Sequence, residues 1–132
     1  MNLRFRVARD GAVRWVYPER STVGHYAVES CVLELLARRR FSRPRGGEAE
    51  FQWDFAFDGA EDVRIPALWN ERRIQARLRE ESRGLRGECG LGEESYSLAA
   101  YVAPDGEVLA AGVAWSSPEQ GEAALRCLLD RV

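Results

Sequence analysis

At 132 residues the chain is long enough for one ordinary domain or two very small ones. A composition of 45% hydrophobic and 30% charged residues excludes a disordered tail, and a net charge of −2 removes the basic excess that nucleic-acid binding usually leaves. No apolar run is long enough to span a membrane, no signal peptide is legible at Met1, and all 19 basic residues are arginine, so no lysine can act as a nucleophile or form a Schiff base.

In chain order, Leu3, Phe5 and Val7 alternate with Arg4 and Arg6, which predicts a half-buried strand. Asp10-Gly11 between two apolar runs predicts a hairpin turn, because glycine accepts the positive φ a tight turn needs. Val13, Trp15 and Tyr17 form the second strand, which Pro18 is expected to end. Ser21 or Thr22 is expected to cap a helix whose apolar stripe is Val28, Cys31, Val32, Leu35 and Leu36. Arg38, Arg39 and Arg40 close it, near the negative end of the helix dipole. After the break "SRPRGG", Phe51, Trp53, Phe55 and Phe57 alternate with Gln52, Asp54 and Ala56 as a third strand. Pro66 then opens an amphipathic helix over residues 66–83, with a thin stripe of Ala67, Ile74, Leu78 and Leu85, ended by Gly84 and Gly87.

The rest repeats the front of the chain. Tyr96, Leu98, Ala100 and Val102 alternate, Asp105-Gly106 turns, and "VLAAGVAW" forms the next strand. Ser117, Pro118 and Gln120 read as N-cap, N1 and N3 of a last helix. Ala124, Cys127, Leu128 and Val132 occupy the stripe positions of Val28, Cys31, Val32 and Leu36. Leu3 aligns with Leu98 and Cys31 with Cys127, so strands match at an offset of 95 and helices at 96. A duplicated ββα unit is the reading, the second copy reaching Val132 without a counterpart of the aromatic strand.

The order strand, DG, strand, Ser/Thr, helix with Cys, F-x-x-P-x-G-G, strand is carried here by "FRVARDGAVRWVYPERST", "AVESCVLELLARRRFSRPRGG" and "EFQWDFAF". "AAYVAPDGEVLAAGVAWSS" and "AALRCLLDRV" carry the second copy. This pattern resembles the TonB C-terminal domain, in particular the TonB-like modules of AgmX-type gliding and envelope proteins of myxobacteria. The resemblance implies a periplasmic binding module that takes up partner segments by strand addition at a sheet edge. The candidate edge is Glu48 to Phe57, with Glu50, Phe51, Gln52, Trp53, Asp54 and Phe55 as the binding residues; the alternative is that this strand is interior to a merged sheet. In such modules a cysteine on a leading helix faces the one on the main helix, a part that would pair Cys89 with Cys127; the expectation is instead buried, reduced thiols at Cys31 and Cys127, since free cysteine packs as a small hydrophobe.

Little in the chain points to catalysis. His25 is the only histidine and lies too far along its helix from Cys31 to share a face with it, so a surface or capping role is expected. Three cysteines without a CxxC pair argue against a zinc site and against a full disulfide framework. Asp54, Asp58, Glu61 and Asp62 lack the spacing of a calcium loop and read as a solvated strand end. "RPRGG" lacks the G-K-[ST] of a phosphate loop, and the acids around "RRRFSRPR" argue against a nucleic-acid patch. Trp15, Trp53, Trp69 and Trp115 are expected in the core.

The expected fold is therefore α+β, ordered β-β-α-β-α-β-β-α, with helices on one face of antiparallel sheet. Residues 1–59 form the first unit, 60–92 a linker helix and loop, and 93–132 the second unit, packed as one compact domain with one continuous sheet. The expected function is non-enzymatic binding of a protein or peptide in a bacterial envelope or trafficking machine, by strand pairing or helix-face contact. No cofactor, metal, nucleic acid or membrane insertion is expected, and strand exchange would give a homodimer. The location is periplasmic if the chain belongs to a longer membrane-anchored protein, otherwise cytoplasmic. The alternative is a stand-alone cytoplasmic protein such as a toxin-immunity or adaptor protein.

Overall fold

The computed structural model describes residues 1–56, 72–119 and 121–131. Among them the chain is mixed α+β with antiparallel sheets, in the element order the sequence predicts. The elements are β1 (Asn2–Val7), β2 (Val13–Arg20), α1 (Tyr26–Ala37), β3 (Ala49–Asp54), α2 (Arg72–Glu88), β4 (Tyr96–Val102), β5 (Val108–Trp115) and α3 (Glu122–Leu129).

Two compact units form, one of Met1–Ala56 with Glu94–Glu119, the other of Phe57–Glu93 with Gln120–Val132. These boundaries differ from 1–59, 60–92 and 93–132. The last helix groups with α2, and the physical reason is covalent: Cys89 at the end of α2 is bonded to Cys127 of α3, with Cα atoms 5.5 Å apart.

In the first unit the strand order is β2-β1-β3 in one sheet and β4-β5 in another. The two hairpins are the same structure. In each, an alanine N–H donates across the turn at 2.8 Å (Ala8 to Ala12, Ala103 to Glu107). The aspartate carboxylate accepts from the N–H two residues on, Asp10 from Ala12 at 3.1 Å and Asp105 from Glu107 at 3.2 Å. Gly11 and Gly106 have φ of 88° and 94°, which is why glycine is written at both. Each hairpin carries a bulge at the same place, skipping Arg14 in one and Leu109 in the other. The bond from the Ala12 N–H, with Arg40 and Arg14 nearby, holds the Asp10 carboxyl below its ordinary range.

Pro18 does not end β2, which runs on to Arg20. It pairs with Leu3, whose own backbone groups face β3, so the missing N–H of Pro18 falls on the side away from β1. Nor do the copies merge into one sheet. β2 and β5 lie beside each other, but no backbone ladder joins them. At the 95-residue offset Pro18 corresponds to Val113, and both are fully buried at this junction. Pro18 has no donor to offer there, and the Val113 N–H is taken at 3.2 Å by the carboxylate of Glu29.

Glu29 organises the junction. It is 1% exposed, and its second carboxylate oxygen accepts from the Ser21 hydroxyl at the end of β2. Gly112 leaves the space: a Cβ there would collide with the Glu29 carboxylate. Ser21 is thus not the helix cap. Its oxygen accepts from Val23 N–H at 3.2 Å, and α1 begins after His25, which makes no side-chain cap. Ser117 behaves alike, accepting from Glu119 N–H at 3.3 Å, while α3 begins after Gly121.

With Glu29 turned inward, the buried face of α1 is rotated from the expected stripe. Val32, Leu33 and Leu36 are half-buried; Val28, Cys31 and Leu35 are exposed. Above β1 and β3 the core is aromatic. Phe5 stacks on Phe51 at 4.8 Å and meets Phe41 edge-on at 5.7 Å. Tyr17 and Trp115 are buried and Trp15 half-buried, but Trp53 is 44% exposed, and Trp69 lies outside the described residues.

In the second unit, α2 runs through Gly84 and Gly87 and stops at Gly90, φ 62°. Gly90 N–H bonds to Gly87 and Leu91 N–H to Arg86 at 3.0 Å, a Schellman closure that satisfies the last carbonyls. Leu85 is half-buried and Leu78 exposed; Ala67 and the side chain of Ile74 lie outside what the structure describes.

Candidate protein-binding edge

β3 lies at one edge of the three-stranded sheet, hydrogen-bonded to β1 on one side. Its register shows which backbone groups are committed. The Met1 ammonium donates to the Phe55 carbonyl at 2.8 Å, and Phe55 N–H donates back to Met1 at 2.7 Å. By alternation, Leu3–Trp53, Phe5–Phe51 and Val7–Ala49 are hydrogen-bonded pairs, while Asn2–Asp54, Arg4–Gln52 and Arg6–Glu50 are not. The backbone N–H and C=O groups of Glu50, Gln52 and Asp54 therefore point out from the sheet.

The two faces differ. Phe51, Trp53 and Phe55 lie on the aromatic face, Trp53 stacking obliquely on Phe55 at 5.7 Å. The other face is a lattice of polar contacts. Arg4 pairs with Glu19 at 3.0 Å, Gln52 donates to Glu19 at 2.6 Å, and Arg6 meets Glu48 at 3.1 Å and Glu50 at 3.6 Å. Asn2 donates to the Asp54 side chain at 2.7 Å. These exposed pairs add little stability individually; they engage the Glu50 and Asp54 carboxylates with Arg6 and Asn2 of β1 on this face.

The residues singled out in the sequence are thus brought onto one strand, Glu50 through Asp54, with Phe55 following it. Cys89 and Cys127 are joined, whereas Cys31 is a free, exposed thiol rather than a buried one. His25 is exposed next to the first turn of α1. Asp58, Glu61 and Asp62 lie outside the described residues. Among the described residues no cluster of His, Cys, Asp or Glu is arranged to hold a metal ion, and no helix is long and apolar enough to cross a membrane.

Sequence reading missed Glu29, the residue that organises the junction of the two hairpins. A signal was present: at the 96-residue offset Glu29 falls on Leu125, which is buried, so a charged residue stands at a core position of the repeat. No known protein family, curated protein or solved structure is matched by this chain.

Proposed function

We propose that the chain is a non-enzymatic interaction module of a bacterial envelope or trafficking machine that takes up an extended segment of a partner protein along the outer edge of β3. The observation that carries this reading is the row of outward backbone groups on Glu50, Gln52 and Asp54, beside an exposed Trp53. A strand added there gains main-chain hydrogen bonds, and its side chains meet two unlike faces. The fitting partner alternates apolar residues, against Phe51 and Trp53, with basic residues, against Glu50 and Asp54. The resemblance to TonB-like modules supports the same mode of binding. The Cys89–Cys127 bond supports an oxidising compartment, where disulfides persist.

The register also selects the test. A proline at position 55 would remove the N–H that Phe55 gives to Met1, and so confuse folding with binding. Gln52→Pro removes only an outward N–H, and Gln52→Ala controls for the side-chain bond to Glu19. With the chain immobilised on beads and exposed to a native envelope extract, partners retained by wild type and Gln52→Ala should be lost from folded Gln52→Pro. Equal retention by all three would overturn strand addition at β3.

A further inference from the structure

The sheet of the second hairpin has an edge of its own. β4 pairs with β5, and Ala103 N–H bonds to Glu107 at the turn, so Tyr101, Ala99 and Ser97 face β5 by alternation. The same positions of the first hairpin (Arg6, Arg4 and Asn2) face β2. The backbone groups of Leu98, Ala100 and Val102 therefore point outward along β4, on the side where β3 stands beside β1 in the first hairpin. Among the described residues no strand pairs there.

This edge differs in charge from that of β3. β3 reads AEFQWD and carries two acids; β4 reads YSLAAYV and carries no charge at all. Sheet edges left uncharged and apolar pair with other strands unless something blocks them. Leu98 is 41% exposed, and Val102 and Val108 are similarly open on the same face.

Within β4, the stretch Ser97 to Tyr101 is complementary to itself when reversed about Ala99. In an antiparallel pair centred on Ala99, Leu98 stands opposite Ala100 of the other strand, and Ser97 opposite Tyr101. Large side chains meet small ones on both faces. The two Ala99 residues meet at the axis in a non-hydrogen-bonded pair, where strands approach most closely and only small side chains are comfortable. The outward groups of Leu98 and Ala100 fall into hydrogen-bonded pairs in this same register. A twofold axis needs a surface that fits itself, with no like charges opposed, and Ser97 to Tyr101 meets both conditions.

We propose that two copies of this chain pair through β4, antiparallel and centred on Ala99, to form a continuous β5-β4-β4-β5 sheet. The pairing is independent of the partner site on β3, which stays open in each copy. It brings the Leu98, Val102 and Val108 faces of both copies onto one side of the joined sheet.

Sedimentation of the full chain over a range of concentrations, with circular dichroism to verify folding, tests the proposal. Wild type should dimerise. Ala100→Pro removes an outward N–H without touching the bonds to β5, and should weaken the dimer by about tenfold or more. Register is tested in a Cys31→Ser background. Ala99→Cys should form a disulfide-linked dimer on mild oxidation, because position 99 faces itself. Ser97→Cys, which faces Tyr101, should not. A wild type that stays monomeric, a dimer untouched by Ala100→Pro, or equal cross-linking at 97 and 99 would each overturn the proposal. Loss of β3 binding by Gln52→Pro leaves these outcomes unchanged, so the two readings fail separately.

Discussion

Glu29 is the residue on which the first unit turns. Its carboxylate accepts from a side-chain hydroxyl and from a backbone N–H in a buried site, and Gly112 is small so that it fits. Removing the acceptor leaves two buried donors unmatched. Glu29→Ala should therefore cost about 2–6 kcal/mol in urea unfolding, since each of the two unpartnered buried groups costs roughly 1–3 kcal/mol. Glu29→Gln should cost far less, because its carbonyl can accept from Val113 while its amide donates to Ser21. Gly112→Ala in the wild type should destabilise by pushing the carboxylate from both partners. In the Glu29→Ala background the same methyl enters vacated space and should be nearly neutral. That double-mutant cycle isolates the contact between them, and additive costs would show that Gly112 matters for some other reason.

At the scale of elements, the two hairpins show how one local design meets two surroundings. Both turns need glycine for positive φ, at a cost of about 1–2 kcal/mol when any other L-residue is forced there. Only the first is also packed: a Cβ on Gly11 would strike the carbonyl of Phe41, whose N–H bonds to the Gly11 carbonyl at 2.8 Å, whereas a Cβ on Gly106 meets nothing. Gly11→Ala should lower the thermal midpoint more than Gly106→Ala, by the equivalent of about 1–3 kcal/mol for overpacking. Equal shifts would mean that the contact with Phe41 yields freely. The turns, the alternation in β1, β3 and β4, and the element order were all legible in the sequence, because each is set by neighbours in the chain. The helix caps were less so. Ser21 and Ser117 carry the right side chain, yet each uses its oxygen on the residue two positions later, and the helices start further on.

At the scale of the whole molecule, a covalent bond ties together the two helices of the second unit, in which Leu125 and Leu128 of α3 are buried. α2 is exposed along most of its length, with Leu85 half-buried near its end, and α3 is only eight residues long. Neither is a helix that holds its shape alone in water. The Cys89–Cys127 bond closes a separation of 38 residues, worth about 3–4 kcal/mol by loop entropy. Reduction, or Cys89→Ser with Cys127→Ser, should speed amide exchange in α3 and the last turns of α2. Amides of β1, β2 and β3 should keep their protection. If protection in α2 and α3 survived reduction, packing rather than the disulfide would be what holds them.

What the sequence determined by itself was local: which stretches are strands, where they turn, that the ββα phrase is written twice, and that the third strand is aromatic on one face and polar on the other. Periodicity and turn chemistry act over a few residues, and a reader of the chain sees them directly. Tertiary structure decided the rest. It decided that Pro18 continues β2, because its missing N–H falls on the side away from β1. It also decided that the hairpins stay separate sheets, because Pro18 has no donor at the junction and Glu29 occupies the donor of Val113. The buried face of α1 rotated for the same reason. A carboxylate that satisfies two buried donors, the Ser21 hydroxyl 8 residues before it and the Val113 N–H 84 residues after it, outweighs the apolar stripe beside it.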